Sequence, residues 1–97
     1  MDSWLNKEDL DPPATLDQAV IRLMDILSIE EKMEIKVLQE EYLINLHFGL
    51  GTSIRNGFRL HDSNSPLLKS CSELHPDDAS VVIIKALWAK LNNINSF

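Results

Sequence analysis

Residues 76–91 carry apolar side chains on almost every face of a helix. Val81, Val82, Ile83, Ile84, Ala86, Leu87, Trp88 and Leu91 nearly encircle its axis. A helix that is apolar almost all round is one that other elements bury. In a chain of 97 residues this requirement organises the fold, because the remaining segments must wrap this one. His75-Pro76-Asp77-Asp78 marks its start: proline suits the first turn, and acids suit the positive end of the helix dipole. The Val-Val-Ile-Ile run also has strand propensity, so a short strand is the competing expectation.

The wrapping segments announce themselves by their caps. Thr15-Leu16-Asp17-Gln18 and Ser28-Ile29-Glu30-Glu31 both read as capping boxes, in which a hydroxyl caps and a residue three positions on reaches back. The first opens a helix over 16–27, with Leu16, Ala19, Val20, Leu23, Met24 and Leu27 inward. The second opens a short helix over 29–36, whose Glu30, Glu31 and Glu34 face water. A long third helix is expected over 39–58, with Tyr42, Leu43, Leu46, His47, Leu50, Ile54 and Phe58 inward at three- and four-residue steps. Gly49 and Gly51 interrupt it, at about 1 kcal/mol each relative to alanine. They signal either a close approach by another group or a break near Leu50. Gly57 would allow a left-handed helix end. Ser65-Pro66 starts a short fourth helix over 66–71. The expectation is an all-α, single-domain bundle of about five helices with the C-terminal helix central. A loosely ordered arm covers 1–13, the helical domain 14–92 and a frayed end 93–97.

Charge narrows the function. Residues 1–45 hold eleven acids against four bases, and residues 46–97 hold four acids against five bases. Nucleic-acid binding draws most of its affinity from a basic stripe, and none is present, so no nucleic-acid partner is expected. An acidic face suits a basic protein partner. The chain has no apolar run of about 18 residues and no signal peptide at its start. A membrane role is therefore not expected, and a lone cysteine, Cys71, fits a reducing cytoplasm.

Two segments carry chemistry. On a continuous helix His47, Gly51 and Arg55 stack at four-residue steps, with Asn56 beside them. Glycine there would leave a notch in which Arg55 grips a carboxylate with two parallel hydrogen bonds. In the structural alternative, His47 is a core histidine and Arg55 pairs with Asp77 or Asp78, pinning the last helix. His75, Asp77, Asp78 and Ser80 form the second segment, readable as acid–base or metal chemistry or as a helix start with acids on the dipole. The sequence favours the structural alternative in both cases. His47, His61 and His75 lack the spacing of metal ligands, Gly49-Leu50-Gly51 is not a phosphate loop, and no nucleophile elbow is present. No catalytic residue, metal or cofactor is expected.

The pattern H-x-x-L-G-x-x-I-R-N, carried by His47, Leu50, Gly51, Ile54, Arg55 and Asn56, is followed by H-P-D-D-x-S at His75, Pro76, Asp77, Asp78 and Ser80. Together they resemble a small bacterial family of unknown function, along most of the chain from about Pro13 to Leu91. The resemblance implies a helical single domain, a source in bacteria or their mobile elements, and a meeting in space of the Arg55-Asn56 and Asp77-Asp78 groups; it implies no activity. The expected function is a small acidic, non-enzymatic protein-interaction module, of which an inhibitor or immunity-type protein masking a basic site is the specific version. The rival is a small enzyme or ligand binder using His47, Arg55, Asn56, His75, Asp77 and Asp78.

Overall fold

In the computed structural model the central helix runs from Pro76 to Leu91, and its inward side is Ala79, Ser80, Ile83, Ile84 and Leu87. The structure describes residues 13–62, 64–71 and 75–92. The expectations for nearly all of the arm and for 93–97 fall outside them. Among the described residues there are five α-helices: α1 (Leu16–Ile26), α2 (Ile29–Lys36), α3 (Thr52–Gly57), α4 (Pro66–Ser70) and α5 (Pro76–Leu91). No strand occurs among the described residues, so the β-branched run of α5 is helical. Burial on several sides outweighs its local propensity.

Helix α1 starts as its caps dictate. The Thr15 hydroxyl accepts from the Gln18 amide at 3.1 Å. The return bond differs from the expected box: Gln18 Oε1 accepts from the amide of Ala14, at 3.0 Å, not from that of the cap. Ala19, Val20, Leu23 and Leu27 turn into the core. The Leu16 amide donates to Ser70 Oγ at 2.8 Å, tying α1 to α4. Helix α2 carries the complete capping box between Ser28 and Glu31. Lys32 Nζ donates to the Met24 carbonyl at 3.0 Å, satisfying one of the acceptors that a helix end leaves open. Trp88 Nε1 donates to the Leu38 carbonyl at 2.8 Å, and Asn92 Nδ2 to the Lys36 carbonyl at 3.1 Å. The end of α5 thereby holds the end of α2.

The third helix is where the chain departs from regular expectation. Residues Glu40–Leu46 form a 3₁₀ helix and His47–Gly51 a π-helix before α3 begins. The chain neither keeps one pitch nor breaks at Leu50. It winds tightly, then widely, while running antiparallel along α5. Leu38 sits by Trp88, Leu43 and Ile44 by Val81 and Ile84, and Arg55 by Ser80 and Asp77. The tight pitch corrects one inward assignment. With three residues per turn, Glu40, Leu43 and Leu46 align, so Leu43 is buried whereas Tyr42 is 48% exposed.

The left-handed helix end is also placed differently. Gly57 ends α3 and no described glycine has positive φ; Arg59 does, at φ 57°. The Leu60 amide reaches back to the Arg55 carbonyl at 3.0 Å and the Arg59 amide to that of Asn56 at 3.4 Å. These are the two bonds of a Schellman end, formed with arginine where glycine is usual.

Candidate functional site

The two sequence motifs meet through Arg55. Its place on α3 and the antiparallel course beside α5 bring its guanidinium to the first turn of α5. Nε lies 3.3 Å from Asp77 Oδ1, Nη1 donates to Ser80 Oγ at 3.2 Å, and Nη2 donates to Thr52 Oγ1 at 2.9 Å. The Ser80 hydroxyl in turn donates to the Asp77 carbonyl at 2.8 Å. Arg55 is only 8% exposed and Ser80 not at all.

Gly51 completes this arrangement. A Cβ there would stand 3.2 Å from Arg55 Nη1, 3.5 Å from the Leu46 carbonyl oxygen and 3.6 Å from Ser80 Oγ. The space that glycine leaves is therefore occupied by the protein's own guanidinium. No open notch with a presented arginine results, and the flat group shields the backbone of the π segment.

Three of the other proposed members face solvent. Asn56, His75 and Asp78 are exposed, and His75 makes no side-chain cap bond to α5. The backbone of His47 begins the π segment, while its side chain lies outside the described part. Asp77, rather than Asp78, takes the arginine. Among the described residues no group of three or more histidine, cysteine or acidic side chains is placed to hold a metal ion. Thr52 is the member that sequence reading missed. It sits three residues before Arg55, a spacing that places two side chains on one helix face.

A second feature is a stretch of exposed apolar side chains. Among the described residues, six large apolar side chains are substantially exposed, and five of them, Ile29, Met33, Val37, Tyr42 and Ile44, fall between residues 29 and 44. The same stretch holds Glu30, Glu31, Glu34, Glu40 and Glu41 against Lys32 and Lys36. Beside it, a shallow groove of about 210 Å³ runs between the 3₁₀ segment and α5. The buried Leu43 and Ile84 line it together with Glu40, Glu41 and Lys85. Ile29, Met33 and Val37 follow one another at four-residue steps, and that spacing was the signal available in the sequence.

The fold and this geometry define a small all-α domain with a buried arginine pin and a stretch, 29–44, rich in exposed apolar and acidic side chains. No helix among the described residues is long and apolar enough to cross a membrane. Residues 12–91 match the family described as a domain of unknown function, DUF6794, and the chain belongs to that family. No curated protein and no solved structure matches it.

Proposed function

We propose that this protein is a small acidic interaction module with no catalytic role. In this reading it works in the bacterial cytoplasm as an inhibitor or immunity-type protein that covers a basic site on a partner protein. The observation that carries the reading is the concentration of exposed apolar side chains within the acidic stretch 29–44. Single exposed apolar residues are ordinary on any surface. Several together, rimmed by charge, are the usual make-up of a protein-binding patch. The rival enzyme or ligand site on the His47, Arg55 and Asn56 cluster draws less support, because Arg55 engages Thr52, Asp77 and Ser80 within the chain.

Affinity capture from host lysate tests the proposal. The wild type is compared with Ile29→Ser/Met33→Ser/Val37→Ser and with Asn56→Ala/His75→Ala, after circular dichroism has verified each fold. The wild type and the Asn56/His75 variant should retain one stoichiometric protein that the triple variant loses. Capture that is indifferent to the triple substitution, or absent from the wild type, overturns the reading.

A further inference from the structure

Helix α2 is apolar on two opposing sides. At 3.6 residues per turn, Ile29, Met33 and Val37 share a sector about 80° wide, and Ile35 lies about 160° from its centre. Ile35 is fully buried, whereas the row is 74%, 49% and 70% exposed. One side of α2 is thus used by the core and the other is presented outward. The row's flanks differ. Glu30 and Glu34 lie on one side, both exposed. Lys36 lies on the other with Lys32, whose ammonium is engaged with the Met24 carbonyl. The open charge is negative on the Glu30 and Glu34 side of the row and positive on the Lys36 and Lys32 side.

Charge decides between occupants. A second copy would bring the same flanks: an antiparallel pairing of α2 with its copy would oppose the Glu30–Glu34 flanks to one another, and a parallel one would set them against Lys32 and Lys36, so the weight against a second copy falls on net charge. Each chain carries a net charge of −6. Like charges across an interface disfavour that partner, and opposite charges select the right one. We infer that the row receives a helix of another protein, with apolar residues in a matching four-residue stripe and lysine or arginine along the flank facing Glu30 and Glu34. This is recognition of one amphipathic helix by another. It rests on the interaction reading above and names the chemistry of the partner.

The probes are two synthetic helical peptides about 15 residues long with the same leucine stripe, one flanked by lysines and one by glutamates. Each is titrated into the isotope-labelled full chain while backbone amide shifts are followed. The lysine peptide should perturb residues 29–37 and bind at least about tenfold more tightly than the glutamate peptide at low salt. Added salt should shrink that difference. Glu30→Lys/Glu34→Lys should reverse the preference, and Ile29→Ser/Met33→Ser should weaken both peptides. Equal binding of the two peptides, shifts centred elsewhere, or concentration-dependent pairing of the chain through 29–37 overturns the inference. If lysate capture still depends on the row while the peptides are not distinguished, the partner's charge is refuted and the interaction role stands. If capture fails as well, both fall.

Discussion

Arg55 makes three contacts of unequal worth. Asp77 holds its carboxylate largely in water, with a side-chain exposure of 65%, and an ion pair so exposed contributes about 0–1 kcal/mol. The bonds to Ser80 and Thr52 are better shielded, and the arginine stem fills space beside Gly51. Arg55→Ala should therefore cost about 2 kcal/mol, whereas Asp77→Asn should cost less than about 1 kcal/mol, both read by urea denaturation. Equal losses would mean that the ion pair, rather than the buried fork, holds the two helices together. Arg59 offers the opposite case. A left-handed conformation costs a non-glycine residue about 1–2 kcal/mol, so Arg59→Gly should raise the melting temperature, by up to about 4–8 °C for each kcal/mol regained. An unchanged or lower value would show that the side chain repays its strain. The meeting of Arg55 with the start of α5 was legible in the sequence, from the complementary charges of Arg55 and the Asp77-Asp78 pair and from the family resemblance; which of the two acids takes the arginine was not. The role of Arg59 was not: nothing in an arginine announces positive φ, and Gly57 nearby was the better candidate on intrinsic grounds.

At the scale of elements, legibility follows local chemistry. Helices α1, α2, α4 and α5 begin where Thr15, Ser28, Ser65 and Pro76 say they should, since a cap acts within one turn. The run from Glu40 to Gly51 obeys a different authority. Its pitch is set by fitting against α5, and tertiary fit leaves no local signature. That is why Tyr42 faces outward although its spacing suits the core. Helix α2 was legible as a helix but not as a two-sided one, because its acids drew attention away from the Ile29, Met33 and Val37 row. The irregular run should also be the weaker part of the backbone. Hydrogen-bond geometry in 3₁₀ turns is poorer than in an α-helix, and local opening follows the weakest bonds. Amides of residues 43–51 should exchange with solvent faster than those of 80–90 in native-state hydrogen exchange. Equal protection would show that both segments open only in global unfolding.

For the whole molecule, one helix organises everything else. Helix α5 touches α1, α2, α3 and both irregular segments, as its all-round apolar surface demanded. That much of the architecture could be read before any coordinates. Which surface meets a partner could not, because an outward apolar row and an inward one look alike until the fold assigns them a side. The placement of α5 also has a consequence in time. During translation α1, α2, the irregular segments and α3 are made first, yet the surface they pack against follows them all, in residues 76–91. Early domains of a nascent chain usually fold as they emerge, but this one has no core to fold around until α5 clears the ribosome. Its apolar residues therefore stay unburied by α5 until that helix has emerged.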